Sequence, residues 1–189
     1  ISVFLSYHFY YRGAHDQAIV ASQRALALAT ASGDGVLHAL ANQPLGVAYQ
    51  AQGDYRRAID CFGQAVAFFD GAWCYERFGH ALLPAVLSRA WLAACHAELG
   101  SFTEGRTLGE EGLRIAEAVD HPGSLTFAAW GIGLLSLHQG DLATALPLLE
   151  RALGLCRDVD LRLYFPWMAT ALGMAYTLSG RVADAVPLL

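Results

Sequence analysis

The sequence has few charged residues and no excess of positive charge. Only 15% of its 189 residues are charged, the formal net charge is −5, and acidic and basic side chains are mixed along the chain. A surface that binds nucleic acid needs a basic patch or stripe, and binding to an anionic membrane needs a polybasic segment. We therefore expect no nucleic acid and no membrane as partner.

Cysteine is also scarce, and its spacing excludes two common uses. Cys61, Cys74, Cys95 and Cys156 form no CxxC pair of the kind found in zinc sites, and four cysteines are too few for a disulfide scaffold of this length. This usage is typical of a reducing compartment. We expect a cytoplasmic protein that needs no metal and no cofactor.

Apolar residues are abundant instead. They make up 55% of the chain, and the mean hydropathy is +0.35, far from the composition of disordered chains. Two uncharged stretches, 121–140 and 163–180, have the length of a membrane span, but both contain Gly, Ser and Thr and coincide with repeat helices. The chain opens at Ile1 and stops at Leu189 within a helical pattern, so we expect a fragment of a larger protein.

A glycine followed five residues later by a small residue recurs along the chain. The successive glycines are 40, 47, 40 and 40 residues apart, a period typical of helical solenoids. Each glycine can end one helix in a left-handed conformation, and the small residue can lie where the second helix packs on the first. The five pairs are Gly13/Ala18, Gly53/Ala58, Gly100/Gly105, Gly140/Ala145 and Gly180/Ala185.

This pattern predicts ten helices in one continuous array. Asp54, Ser101 and Asp141 follow three of the turn glycines and are expected to cap the next helix. Seven additional residues fall around 73–84, where Gly79 and Pro84 should bend or delay a long helix. The expected units are 1–33, 34–72, 73–120, 121–159 and 160–189.

The second unit resembles the tetratricopeptide repeat (TPR) family. The period of 40 exceeds the roughly 34 residues of the standard repeat and overlaps that of HEAT arrays, so the motif inside the repeat is what favours this family. The resemblance implies an all-α, right-handed superhelical solenoid of about five helical hairpins, the last one truncated. The consensus positions are matched in order and spacing by Leu45, Gly46, Tyr49, Ala58, Phe62 and Ala65.

Four longer stretches are similar to one group of TPR proteins. ERFG (76–79), SRAWLA (88–93), GDL (140–142) and PLLERAL (147–153) resemble the C-terminal TPR region of bacterial regulators that join a class III nucleotide cyclase to a STAND-type ATPase. The resemblance implies the sensor or regulatory arm of a bacterial signalling protein. The chain has neither the metal-binding acids of a cyclase nor a P-loop, so no enzymatic role is carried over.

No combination of residues indicates catalysis. The seven histidines form no HExxH motif, and Cys95 and His96 are adjacent on a helix, where neighbouring side chains point in different directions. The three glycines 105, 109 and 112 lack the lysine of a phosphate loop and indicate close helix packing. We expect no catalytic residue, no metal ligand and no enzyme activity.

The resemblance places the partner-binding surface on the first helix of each hairpin, which lines the concave side of TPR arrays. The expected residues are mainly aromatic and aliphatic and lack the cations of a carboxylate clamp, so we expect a protein or peptide partner with an apolar helical or extended segment. The tryptophans among them can be groove anchors or core residues. The set is Tyr7, Tyr10, Tyr11, Gln43, Val47, Gln50, Phe127, Trp130, Leu134, Leu137, His138, Trp167, Thr170 and Met174.

Two other functions remain open. The array can self-associate by stacking end to end, giving a homo-oligomer, or dock on a domain of its own full-length chain. More distantly, it can be a helical domain that binds a small molecule or acts as an enzyme, which would require a pocket with two coupled titrating groups.

Overall fold

The structure, a computed structural model, describes residues 2–188. Within this range the chain forms helices and turns and no strand. It divides into two compact units, Ile1–Glu76 and Arg77–Leu189. The all-α prediction is confirmed, whereas the single continuous array and its five unit boundaries stay predictions.

The first unit contains two helical hairpins. Helix α1 packs against α2 and α3, and α3 packs against α4. A short 3-10 turn, Gly71–Tyr75, follows the last helix. The helices are α1 (Ser2–Tyr11), α2 (His15–Ser32), α3 (Gly35–Ala51) and α4 (Tyr55–Phe68).

The second unit contains two full hairpins and a shorter third one. Successive helices pack against each other from α5 to α10, and α5 also packs on α7. A 3-10 turn, Val186–Leu188, follows the last helix. The helices are α5 (Pro84–Glu98), α6 (Phe102–Val119), α7 (Pro122–His138), α8 (Leu142–Asp158), α9 (Phe165–Leu178) and α10 (Val182–Ala185).

Every hairpin turns at a glycine in the left-handed conformation. The φ angles of Gly13, Gly53, Gly100, Gly140 and Gly180 lie between 72° and 81°. At each turn the next residue donates its backbone N–H to the carbonyl oxygen five residues earlier, at 2.8–2.9 Å. This bond satisfies a carbonyl that the helix end leaves unpaired, in the manner of a Schellman motif. The predicted turn positions are confirmed.

Two of the three predicted caps are present. Asp54 accepts a hydrogen bond from the Arg57 N–H at 3.2 Å, and Asp141 accepts one from the Thr144 N–H at 3.1 Å. Ser101 makes no side-chain cap bond. The prediction was therefore wrong for Ser101, and nothing in the structure explains the difference.

In the second and fourth hairpins, the repeat motif pairs a glycine of the first helix with a bulky residue of the second helix. A Cβ atom added at Gly46 would lie 2.8 Å from Cζ of Phe62, and one at Gly133 would lie 2.8 Å from Cγ of Leu149. The small residue after each turn is buried as well, with Ala58 and Ala145 both 0% exposed. The motif therefore sets how closely the two helices of a hairpin approach.

The hairpin of α5 and α6 lacks the bulky residue of this pairing. Ala93 occupies the position of Gly46, and Gly109 occupies that of Phe62. Ile132 of α7 fills the vacated space, since its Cγ1 lies 2.8 Å from where a Gly109 Cβ would be. Gly105 and Gly112 are buried in the same way. The prediction that these glycines serve close helix packing is confirmed.

The inserted residues do not form a long bent helix. After α4 the chain forms the 3-10 turn and then the non-helical segment 76–83, and α5 begins at Pro84. Proline is favoured at the first position of a helix because a backbone N–H there would have no acceptor within the helix. The N–H that proline lacks therefore costs no hydrogen bond. Of the two expected outcomes, a bend or a delay, the structure shows the delay, with α5 beginning at Pro84.

Candidate protein-interaction surface

Five aromatic side chains in the second unit form one cluster, defined by Trp91, Phe127, Trp130, Tyr164 and Trp167. They come from α5, α7 and the start of α9. The Trp91 ring is 5.0 Å from that of Trp130 and 5.3 Å from that of Trp167, both edge to face. Such pairs contribute about 0.5–1.5 kcal/mol each beyond the area they bury. The cluster therefore joins the first helices of three hairpins.

The cluster has a buried interior and a partly exposed edge. Trp91, Phe127 and Trp130 are 4%, 0% and 5% exposed. Trp167 and Tyr164 are only half-buried. Trp91 and Trp130 are thus core residues, and Trp167 is the tryptophan of the cluster that a partner can reach.

Helix α9 presents a row of exposed residues beyond this edge, which we call the α9 stripe: Trp167, Thr170, Met174 and Leu178. Met174 and Leu178 are 43% and 64% exposed. The helix contains no charged residue. Leu178 was missed from the sequence, although it continues the helical spacing of the other three by one turn.

The other predicted residues of this unit differ in exposure. Leu134 is half-buried, and Leu137 is 4% exposed and belongs to the core. His138 is exposed, and its Nε2 lies 3.7 Å from Oε1 of Glu98. Only Leu134 and His138 can therefore extend the surface onto α7.

In the first unit, three predicted tyrosines lie together on α1. Tyr7 packs against the buried Val3, Ala25 and Ala41. The Tyr7 and Tyr11 rings are 6.4 Å apart, and those of Tyr10 and Tyr11 are 5.3 Å apart. Burial raises the pKa of Tyr10 to about 12. Tyr11, at 39%, is the more exposed end of this group.

The predicted residues of α3 offer little surface. Gln43 and Val47 are 1% and 2% exposed, and Gln50 is half-buried. Gln43 and Val47 therefore serve the packing of the first unit, and neither is available to a partner in this structure.

The buried Cys95 thiol is a poor nucleophile. Burial raises the pKa of Cys95 to about 12 and lowers the pKa of the neighbouring His96 below its usual value. A thiol with so high a pKa is protonated at neutral pH and reacts slowly. In residues 2–188 no three His, Cys, Asp or Glu side chains are grouped to hold a metal ion, and no helix is long and apolar enough to cross a membrane.

His121 caps the first turn of α7. Its Nδ1 accepts a hydrogen bond from the Ser124 N–H at 3.1 Å and lies 2.9 Å from Ser124 Oγ. Ser124 Oγ in turn accepts a hydrogen bond from the Leu83 N–H at 3.0 Å. Burial and the nearby Arg77 lower the pKa of His121. The neutral ring therefore joins the start of α7 to the loop before α5.

We expect this cap to make folding stability depend on pH. Because the pKa is lower in the folded state, the unfolded chain takes up a proton first as the pH falls below about 6.5, and stability declines. A protonated Nδ1 also cannot accept from Ser124. Urea unfolding at pH 7.5 and 5.5 should show the wild type losing more stability than His121→Asn, which keeps a cap that does not titrate.

His80 and His96 also have pKa values lowered by burial, so the wild type and His121→Asn should both lose some stability at pH 5.5. The difference between them isolates His121. Equal losses would mean that the ring does not act as a neutral cap.

The two units together have the helix order, glycine turns and motif packing of a known repeat. Residues 2–70 match the family model of the tetratricopeptide repeat. No curated protein matches the chain. Beyond residue 70, the TPR-like character rests on the fold.

Solved structures share this fold over nearly the whole chain. The TPR-like repeats of a putative kinesin light chain from Podosopora anserina align with a TM-score of 0.63 and 20% identity, over 99% of this chain and 89% of that one. BtubC from P. vanneervenii aligns with a TM-score of 0.68 and 18% identity, over 98% and 74%.

A Rap protein complexed with competence and sporulation factor is also similar. It aligns with a TM-score of 0.82 and 13% identity, over 99% of this chain but only 50% of that one. Identities this low show a common TPR-like helical fold and carry no specific function to this chain.

Proposed function

We propose that this chain is a protein-interaction module that binds an apolar helical or extended segment on the α9 stripe and the exposed edge of the aromatic cluster. The observation that carries the proposal is the exposure of Met174 and Leu178 in line with the half-buried Trp167, on a helix without charge. Apolar residues aligned on one face, beside a rigid aromatic cluster, are typical of sites for protein partners.

The aromatic cluster supports this proposal because it holds the half-buried Trp167 side chain in place before a partner binds. Trp167 packs against Trp91 at 5.3 Å and against Tyr164 at 5.7 Å between ring centroids. A side chain that is already held in place loses little conformational freedom on binding. Tryptophans in such positions often carry a large share of the binding energy.

We further propose that the module is the sensor or regulatory arm of a bacterial signalling protein and acts in the cytoplasm. The support for this is the similarity of residues 76–79, 88–93, 140–142 and 147–153 to the repeat regions of bacterial regulators. The complex of Rap with competence and sporulation factor provides one structural precedent for a protein of this fold with a bound factor.

The binding proposal can be tested with a peptide selected against the whole chain from a display library of 16-residue apolar helices. Trp167→Ala should weaken its binding by roughly 30-fold, as expected for an interface anchor. Met174→Ala removes an exposed side chain and should weaken binding by about fivefold without changing the melting temperature. Isothermal titration and thermal unfolding measure the two effects.

The control lies on the second helices. Arg151 is exposed, and its Nη1 is 3.5 Å from Oε1 of Glu117, a surface pair worth at most about 1 kcal/mol. Arg151→Ala should leave peptide affinity unchanged. If Arg151→Ala weakens binding and the two α9 variants do not, the partner contacts the outer surface and the proposal is wrong.

Self-association is a second candidate, favoured by one contact inside the second unit. Helix α5 packs so closely on α7 that a Cβ at Gly131 would lie 2.9 Å from Cα of Ala90. Thr170 of α9 is in the repeat position of Ala90 and is exposed. A helix of another copy can therefore pack on Thr170 in the way that α7 packs on Ala90. Multi-angle light scattering would then show a dimer that Met174→Asp dissociates.

A further inference from the structure

The C-terminal ends of α5 and α7 carry two neighbouring polar residues, Glu98 and His138, which we call the acceptor pair. Glu98 is the last residue of α5, and His138 is the last residue of α7. Nε2 of His138 lies 3.7 Å from Oε1 of Glu98, and both residues are exposed. Within residues 2–188 the Glu98 carboxylate has no other ion pair. The acceptor pair is therefore accessible to a partner.

The ring of His138 is oriented by its own helix. Its Nδ1 lies 3.2 Å from the carbonyl oxygen of Leu134. Because a carbonyl oxygen only accepts, Nδ1 is the donor of this hydrogen bond. In the neutral ring Nε2 then carries a lone pair and no hydrogen. Nε2 of His138 and the carboxylate of Glu98 are thus two acceptors with no hydrogen between them.

The charge at this end of the two hairpins favours a cation. Glu104 lies in the first turn of α6, and Asp141 caps α8. The nearby Arg106 donates from Nη2 to Oε1 of Gln139 at 2.8 Å. The C-terminal ends of α5 and α7 add partial negative charge. A positively charged donor is therefore the group that suits both acceptors.

The acceptor pair continues the α9 stripe across the array. Glu98, His138 and Leu178 are 40 residues apart, and each lies two residues before a turn glycine. They therefore occupy the same repeat position in three successive hairpins. Packed helices are about 10 Å apart, and an extended chain advances about 3.3 Å per residue. Roughly five extended residues thus lead from Leu178 to the space between α5 and α7.

We propose that the acceptor pair is a specificity site, which binds a lysine or arginine of the segment held by the α9 stripe. This inference rests on the proposed function of the stripe and adds a charge requirement to it. The cationic group donates to Oε1 of Glu98 and to Nε2 of His138, while apolar side chains of the same segment contact Met174 and Leu178. A charged contact at one end fixes the direction in which the segment lies.

The apolar peptide selected against the whole chain serves as the probe. It is extended at one end or the other by three glycines and a final residue, which is lysine, glutamine or glutamate. Isothermal titration should show that lysine at one of the two ends raises the affinity about threefold over glutamine. Glutamate at that end should lower the affinity by a similar factor, because it faces the Glu98 carboxylate.

Variants of the chain assign this preference to the acceptor pair. Glu98→Gln should abolish the preference for lysine and leave the affinity of the glutamine-ended peptide unchanged, and Glu98→Lys should favour glutamate instead. His138→Leu removes one of the two acceptors and should reduce the preference. Glu110→Gln, on the exposed face of α6, makes the same change in net charge as Glu98→Gln and should keep the preference. Thermal unfolding checks that each variant is folded.

Three results would overturn the proposal. One is an affinity for the wild type that does not depend on the final residue at either end, and another is an equal effect of Glu98→Gln and Glu110→Gln. The third is a change in the sedimentation coefficient of the chain alone on Glu98→Lys, which would mean that a second copy supplies the cation. The proposed function fails differently, since the glutamine-ended peptide would then bind Met174→Ala as tightly as the wild type.

Discussion

Replacing Trp130 with alanine is expected to destabilise the second unit by about 4 kcal/mol, within the range of 3–5 kcal/mol for deleting a buried aromatic side chain. Trp130 is 5% exposed, and its ring contacts those of Trp91 at 5.0 Å and Phe127 at 6.0 Å. The substitution leaves a cavity that both neighbours line. Urea unfolding followed by circular dichroism measures the loss.

Trp73→Ala is the matched control, because Trp73 is 49% exposed and its loss should cost only about 0.5 kcal/mol. The affinity of Trp130→Ala and of Trp73→Ala for the peptide selected from the display library should be measured at a temperature where each variant is folded. If Trp130→Ala kept the stability of the wild type and lost affinity, Trp130 would be a groove anchor, and its assignment to the core would be wrong.

Gly131→Ala is expected to cost about 3 kcal/mol, although it adds only one methyl group. The added Cβ would lie 2.9 Å from Cα and 3.1 Å from the carbonyl oxygen of Ala90. Both are backbone atoms of α5, so no side-chain rotation relieves the overlap, and α5 and α7 must separate. That separation also disturbs Trp91 and Trp130, which flank the contact in sequence.

Gly154→Ala makes the same chemical change in α8 with the opposite expected result. No atom lies within 4 Å of the added Cβ, so the higher helix propensity of alanine should stabilise the protein by about 0.5–1 kcal/mol. Melting temperatures of the two variants give the comparison. If both shifts had the same sign, the close approach of α5 and α7 would not be a determinant of stability.

The turns and the motif could be predicted because they depend on local chemistry. A left-handed residue that ends a helix is usually glycine, so Gly13 and Gly140 indicated their own conformations. Gly46 and Phe62 lie on helices joined by one short turn, and the pair follows from helix geometry once that turn is known. At 73–84 the sequence left open whether Pro84 bends or delays a helix, because proline is found both at helix starts and at kinks.

The interaction surface could be predicted only in part. The register identified the first helices correctly as the source of Trp130, Trp167 and Met174, but it could not separate inward from outward positions. Helices α3 and α7 are packed on several sides, so Gln43, which is polar, is nevertheless buried at 1% exposure. Leu178 was omitted although it is among the most exposed apolar residues.

The sequence by itself determined the helical class, the hairpin turns and the positions where small residues are needed, because each depends on contacts between residues close in the chain. The tertiary structure decided which aromatic residues are core and which are exposed. Trp91, Trp130 and Trp167 come from three different hairpins, and their exposure depends on how closely the backbones of α5 and α7 approach at Ala90 and Gly131. A local pattern does not encode a distance between helices 40 residues apart in the chain, and only the packed structure sets it.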